Sequence, residues 1–588
     1  MNPQRIVRYP PWLLVLLLLS VGLGIPESRA QQDAPLYALP GTRAAVFTSS
    51  TMDLSNNGRT LVLANMLNDT LSIVDVAARV LITEIPVGQE PRGVALTPDD
   101  QQAVVVNRAD GTISVVSLAD SAETAVYPVG VLPFSVVSGD NTSAFVSLQG
   151  QGEVVQVDLA TGEVLTRIAT PSDPAGLALW GDFLYVTHLW SGELSLIYLP
   201  NAEVVRTIQS DPLASLTPSV TINQANGLAY LPQSLSNTRT TALTFDSAVT
   251  PALTVVDLAD MRVTSGERIA LSIADRPVNM PYAVAVDPVR NWAYVVNAGT
   301  NDVSVIELSS GEALANVVTG ANPRGAVLSF DNAFLYVHNA IEGSLTIIET
   351  RTQTVDDVLS ISDLRVPVDQ LIGAELFHSA RDERVGARWL SCASCHFDGQ
   401  SDGRVWQDLA EGPRNTPLLF DLAETAPYNW TGSWDELADV ELKIRDLQVG
   451  TGLIEGRTNA PLGDPHAGLS LDLDILVSYL LSIQGPPTPP QPDREMALRG
   501  EELFQSLDCA SCHTGATFSD GLVHDVGTGG AFNTPTLNWL WQSAPYLHDG
   551  RATTLRDVFI LPGAHQLVTT LDPAQIDALV AYLLTLPQ

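Results

Sequence analysis

Hydrophobic and polar residues alternate in short runs through most of the first 350 positions. Leu61-Val62-Leu63-Ala64-Asn65, Val104-Val105-Val106-Asn107, Tyr185-Val186-Thr187-His188, Tyr294-Val295-Val296-Asn297 and Tyr336-Val337-His338-Asn339 end in similar words. Most lead through a polar turn into a second alternating run, as in Asn68-Asp69-Thr70-Leu71-Ser72-Ile73-Val74-Asp75. Successive side chains of a strand face opposite ways, so this alternation predicts half-buried strands. A proline opens a run at Pro91, Pro133, Pro174, Pro218, Pro281 and Pro323, at spacings of 42, 41, 44, 63 and 42 residues. A period of about 40–45 residues with four strands predicts a β-propeller. One further unit around Met52-Asp53-Leu54 brings the count to seven blades over residues 31–355. The longest step carries a Ser- and Thr-rich insertion near Ser234 to Thr250, expected as a surface loop. His188 and His338, at strand ends, are expected to be structural.

The strand rhythm stops after residue 365. Helical spacing takes over, for example from Arg494 to Leu507 and from Pro573 to Leu586. Gly485 to Pro492 is Pro-rich and reads as a linker between units at 366–486 and 487–588.

Charge narrows the function. The 588 residues carry 30 Lys+Arg against 66 Asp+Glu, a formal charge of −36, and Lys443 is the single lysine. Such a surface repels nucleic acid and attracts small basic proteins. Residues 1–30 have the parts of a secretory signal: Arg5 and Arg8, an apolar run from Leu13 to Ile25, and Ser28-Arg29-Ala30 before the expected cleavage. The mature chain is therefore expected in the periplasm, secreted or at the cell surface.

All four cysteines fall in two identical words, Cys392-Ala393-Ser394-Cys395-His396 and Cys509-Ala510-Ser511-Cys512-His513. Two thiols at this spacing can add across the vinyl groups of one porphyrin, and the adjacent histidine can then bind its iron. A zinc site would usually place its histidine further away, and a disulfide needs no histidine at all. Two covalently bound haem c groups are expected, on His396 and His513. The segments after the two words align without a gap at an offset of 118, with 17 identities in the 40 positions from 401 to 440. Asn415-Thr416-Pro417 meets Asn533-Thr534-Pro535, and Ala426-Pro427-Tyr428 meets Ala544-Pro545-Tyr546. The region is one haem domain duplicated. The expected fold is multidomain: an all-β seven-bladed propeller, then mainly α tandem cytochrome c domains.

The first half resembles YVTN-type propeller repeats, which suggests a scaffold or a docking surface for a protein ligand. From about Asp369 onwards the chain resembles the di-haem cytochrome c peroxidase family, which includes the methylamine-utilisation di-haem enzyme. The likeness rests on Gly373-Ala374-Glu375-Leu376-Phe377, Gly412-Pro413-Arg414-Asn415-Thr416-Pro417, Arg499-Gly500-Glu501-Glu502-Leu503-Phe504 and Ala544-Pro545-Tyr546-Leu547-His548-Asp549-Gly550-Arg551. It implies reduction of hydrogen peroxide at one haem with electrons passed through the other, and a calcium ion between the domains. Asn415 would be one calcium ligand, or simply a turn-capping amide. Trp430 matches the tryptophan that lies between the family's haems, an electron relay or a core residue.

This sequence departs from the family at the distal positions. Met496 is the only methionine after residue 280 and precedes its own haem word, so a His/Met iron is not expected. Ile560 to Pro562 holds neither Met nor Tyr; His565 is the nearest distal ligand for haem 2, unless it is a surface-loop histidine. His524 and His548 read as pocket hydrogen-bonding residues. Arg404 falls where some relatives have a histidine capping the first iron, and could stabilise an oxyanion or pair with a haem propionate. Val440 replaces the family's distal Gln, and Asp439 and Glu441 are the nearest acids. The expected activity is that of an exported peroxidase-like oxidoreductase. It would pass electrons from a small basic cytochrome or copper protein to hydrogen peroxide or a similar oxidant. The alternative is a non-enzymatic electron carrier whose propeller docks a redox partner.

Overall fold

The computed structural model describes residues 45–240, 247–264, 268–486, 492–563 and 565–586. The expected signal segment at 1–30 and most of the Pro-rich linker lie outside these residues.

Seven sheets follow one another in chain order, five of them plain four-stranded meanders. Blade 1 spans 52–86, blade 2 spans 91–128, blade 3 spans 133–169 and blade 4 spans 174–209. Blade 5 spans 214–270, blade 6 spans 281–318 and blade 7 spans 323–360. The recurrent strand-ending asparagine has a physical cause. Its amide donates across the hairpin to two side chains, five and seven residues on: Asn65 to Thr70 and Ser72, Asn107 to Thr112 and Ser114, Asn339 to Ser344 and Thr346. In blade 4 His188 takes this place, bonding the Ser195 hydroxyl at 2.8 Å and the Ser172 carbonyl at 2.9 Å.

Prolines 91, 133, 174, 281 and 323 each begin the innermost strand of a blade. Blade 5 differs. Pro218 has no N–H for the ladder, and the inner edge splits around it into Ala214–Leu216 and Thr221–Asn223. The insertion is also not a plain surface loop. It prolongs the hairpin Leu228–Ser236 with Val249–Asp257 as far as the pair Ser236 and Val249. Its Ala248 and Val249 are then buried with Trp389 and Leu390 of the first haem domain.

The chain enters through the ring itself. Val46–Thr48 pairs with the far end of blade 4's inner strand, Ser50 bridges to Val94, and Thr51 meets His338 at 2.9 Å. The ring closes between blades 7 and 1, where Ser72 donates to the Ile361 carbonyl and Arg79 pairs with Asp356 and Asp357.

The opposite mouth of the channel is occupied by the first haem domain. Phe134, Ala175, Leu216 and Tyr282 from the inner strands share one core with Phe377, Cys392, Ala393 and Phe397. The chain's own second half thus covers this mouth of the propeller. In the haem domains, helix Val368–His378 packs on Leu471–Ser482, and Arg494–Ser506 on Pro573–Leu583. Asp493 and Asp572 cap the latter pair at their N-termini, where free N–H groups need acceptors.

Candidate haem sites

The second haem word lies beside a cavity of about 420 Å³ lined by Cys509, Cys512, His513, His565, Trp430 and Phe559, among others. Cys509–Ser511 forms one tight turn, and the His513 N–H donates to the Cys509 carbonyl at 3.0 Å. The imidazole Nδ1 lies 2.9 Å from the Phe518 carbonyl. A carbonyl only accepts, so Nδ1 carries the proton and Nε2 keeps the lone pair that a metal needs. Burial holds this ring below its ordinary pKa, against the pull of the Phe518 carbonyl.

His565 stands across the same cavity, its ring centroid 6.3 Å from that of His513 and its plane at 38°. Two imidazoles on opposite sides of one metal, each bond about 2 Å, put their centroids roughly 6 Å apart. The residues therefore fit a haem iron held from both sides.

The first word has the same turn in a different setting. Ser391, Cys392, Ala393 and Ser394 are all buried. The Asn279 amide of the propeller donates to the Trp389 carbonyl at 2.9 Å and to the Ser394 hydroxyl at 3.0 Å. His396 is ringed by protein yet keeps part of its surface uncovered. Burial pushes its imidazole down to about 4; the nearby Pro417 carbonyl opposes this, though Nδ1 completes no hydrogen bond. In the second word Ser511 is exposed and the other four residues are part-buried, and Thr514, Gly515 and Ala516 just after it are exposed. The propeller packs against the first word, whereas the second is part-exposed throughout.

Between the domains the duplication becomes a pseudo-two-fold contact. The Asn533 amide donates to the Pro427 carbonyl at 2.6 Å, and the Asn415 amide donates to the Pro545 carbonyl. The Asn415 N–H donates to the His548 carbonyl at 2.6 Å, and the Asn533 N–H to the Trp430 carbonyl at 2.9 Å. Each partner pair repeats at the offset of 118. Asn415 is buried and its Oδ1 finds no hydrogen-bond partner among the described residues. An orphaned buried amide oxygen fits a hard cation such as calcium. Trp430 donates from Nε1 to the Asn415 carbonyl at 2.8 Å and meets the His548 ring edge-on at 6.4 Å.

Other residues singled out by sequence fall elsewhere. Arg404 points its guanidinium at the propeller, donating to the Trp190 and Ala214 carbonyls. Two propeller carbonyls thus engage the side chain that the resemblance suggested as an oxyanion stabiliser or a propionate partner. Glu441 is fully engaged by Arg445 and by the N–H groups of Leu453 and Ile454. His548 stacks on Phe532 at 3.7 Å, and His524 bonds Asp520 at 2.7 Å.

Asp439 is different, and its partner escaped the sequence reading. His466 Nδ1 sits 2.7 Å from one oxygen of Asp439, while Nε2 accepts the Asn459 N–H at 3.1 Å. The backbone donor fixes Nδ1 as the protonated nitrogen. The other Asp439 oxygen is buried without a partner among the described residues. Burial raises this carboxyl above its ordinary value despite the His466 contact. No word or spacing marks His466, which lies in a Gly- and Pro-rich loop 27 residues away.

Fold and site define a class: a seven-bladed β-propeller joined to a cytochrome c region. In sequence, residues 497–587 match the cytochrome c family and residues 29–124 the seven-bladed β-propeller lactonase family. The haem region is similar to methylamine utilization protein MauG of Methylorubrum extorquens, 28% identical over 242 residues, or 33% of this chain and 67% of that protein. It is similar to the cytochrome c551 peroxidase of Pseudomonas aeruginosa, 24% identical over 269 residues, or 36% and 76% of the two chains. The gamma subunit of hydrazine synthase from Kuenenia stuttgartiensis is 25% identical over 227 residues, 28% of this chain and 62% of that one. A solved Kuenenia stuttgartiensis hydrazine synthase chain superposes with a TM-score of 0.45 at 21% identity, over 56% of this chain and 99% of that chain. The two resemblances read from sequence, to propeller repeats and to the di-haem peroxidase family, agree with these matches.

Proposed function

We propose that this chain is an exported, peroxidase-like di-haem c-type oxidoreductase. Cys392 and Cys395 would hold one haem with His396 on its iron; Cys509 and Cys512 would hold the other with His513. When bound, these groups supply reversible one-electron chemistry. The observation that carries the reading is the asymmetry of the two words: Cys392, Ala393 and Ser394 are buried against the propeller, while the second word is part-exposed throughout. A protein donor would approach the second, less covered word, and the charge of −36 favours a small basic cytochrome or copper protein. A small oxidant such as hydrogen peroxide would then be the acceptor at the first.

The chain's own residues divide the work. His565 opposes His513 and would close the second iron to exogenous ligands. Trp430 bridges the domain boundary as the relay between halves. Asn415 would hold a calcium ion that stiffens that boundary. Of the two acids near the first site, Asp439 retains a free oxygen and a raised pKa, the properties of a proton carrier. Arg404 acts as a tie to the propeller. Its engagement by the Trp190 and Ala214 carbonyls favours, as second reading, a non-enzymatic electron carrier.

Electron paramagnetic resonance of the resting protein, with peroxide-dependent oxidation of a reduced basic cytochrome, tests the proposal. One high-spin and one low-spin ferric signal with turnover is the expected result. Two six-coordinate low-spin irons in every oxidation state, without turnover, would leave the carrier reading.

A further inference from the structure

Immediately after His396, the chain inserts Phe397 and Asp398 into the mouth of the propeller. Arg324 grips Asp398 with both arms of its guanidinium, at 2.6 and 3.0 Å, and Arg92 adds a third contact at 2.7 Å. His378 reaches the same carboxylate at 3.2 Å. The side chains are nearly closed to solvent, at 2% exposure for each arginine and 7% for the aspartate. Both guanidinia also stand over the Phe397 ring, at 5.8 and 5.0 Å. Arg92 and Arg324 hold the same place in their blades, second in the words Pro91-Arg92-Gly93 and Pro323-Arg324-Gly325. The blade repeat thus supplies two arginines converging on one carboxylate of the haem domain.

The charges around this point do not cancel. Glu90 meets Arg92 at 2.5 Å and Arg108 at 3.1 Å, so three buried arginines face two carboxylates. Arg108 keeps two buried N–H groups without partners among the described residues. Fields of this kind are weakly screened away from water.

We propose that Arg92 and Arg324 are positioning residues for the first haem. Through Asp398 and Phe397 they fix the segment that carries His396 and place two positive charges beside it. Reduction adds one negative charge, so a nearby cation favours the ferrous form and a nearby anion the ferric form. The inference rests on His396 holding a haem, and it gives the propeller a redox role beyond covering that site.

The test uses the full chain with both haems, counted first as pyridine haemochrome. The two midpoint potentials are then measured by potentiometric titration followed by electron paramagnetic resonance. Arg324→Met removes a positive charge and lowers the first potential; Asp398→Asn removes a negative charge and raises it. Each shift is at least tenfold in the ferric-to-ferrous ratio, about 59 mV for one electron. Arg324→Lys keeps the charge and stays near wild type, and the second potential stays put in all three. A first potential that ignores both substitutions, or moves the same way in both, overturns the proposal. Should Arg324→Met not fold, the near-isosteric Asp398→Asn decides alone: a rise supports the proposal and no rise overturns it. A wild-type protein with only one haem would instead remove the underlying reading of His396.

Discussion

His565 faces His513 across the cavity of the second haem domain, their ring centroids 6.3 Å apart. That separation suits a single iron held by both, and it makes the ligand set testable. Replacing His565 with Ala should leave haem content unchanged and convert one low-spin ferric signal to high-spin. Added imidazole should restore the low-spin form by filling the vacated position. A spectrum indifferent to the substitution would remove His565 from the iron.

Trp430 is bonded through Nε1 to the Asn415 carbonyl at 2.8 Å and borders the second haem cavity. Phe in its place keeps a ring but loses the donor, a stability cost of about 1 kcal/mol. If the indole carries electrons, transfer between the two haem domains should slow by roughly tenfold or more, about 1.4 kcal/mol of activation free energy. Stopped-flow reduction, followed separately at each haem, measures this. A rate unchanged in a folded Trp430→Phe protein would reduce the tryptophan to packing.

The repeat words made the propeller legible because each has a local cause. The strand-ending asparagine clips its own hairpin, and a proline can start an inner strand without losing a ladder bond. Blade 5 broke the pattern where Pro218 fell inside the edge instead of at its start. The haem words were legible because covalent chemistry fixes their spacing. What pairs across the fold was not. Nothing near Asp398 in sequence announces Arg92 or Arg324, which lie 306 and 74 residues before it. Arg404 aligned with a distal position yet turns to carbonyls that only the propeller supplies. His466 has no motif, and only tertiary packing brings it to Asp439. Long-range partners of single polar residues leave no periodic trace.

The buried, unpartnered Oδ1 of Asn415 predicts a stability linked to calcium. A ligand present at a hundredfold excess over its dissociation constant stabilises the folded state by about 2.7 kcal/mol. Chelation should therefore lower the unfolding temperature of the haem domains and leave the propeller transition where it was. Asn415→Ala should unfold earlier and no longer respond to chelator, because the same change also removes the amide bond to the Pro545 carbonyl. Asn415→Asp, which keeps the oxygen, should retain the response. An identical melting profile with and without chelator in the wild type would argue for a capping amide alone.

His338 predicts how the ring responds to acid. It is buried at the closure between blades 7 and 1, bonded to the Thr51 hydroxyl at 2.9 Å. Burial first, and then the positive charge of Arg324, push its imidazole down to about 3 from an ordinary 6.5. The unfolded chain therefore takes up the proton before the folded one. Stability from this residue is complete above about pH 6.5 and falls as pH drops toward 3, by about 1.4 kcal/mol per unit. His338→Gln has no such proton to bind. Its deficit relative to wild type at pH 7.5, set by the altered contact with Thr51, should shrink or reverse by about 2 kcal/mol at pH 5. Urea unfolding of both proteins at the two pH values, read from the propeller transition, measures the difference. A deficit that stays constant would mean that the ring is protonated inside the fold, and that the mouth of the channel tolerates a further cation beside Arg324.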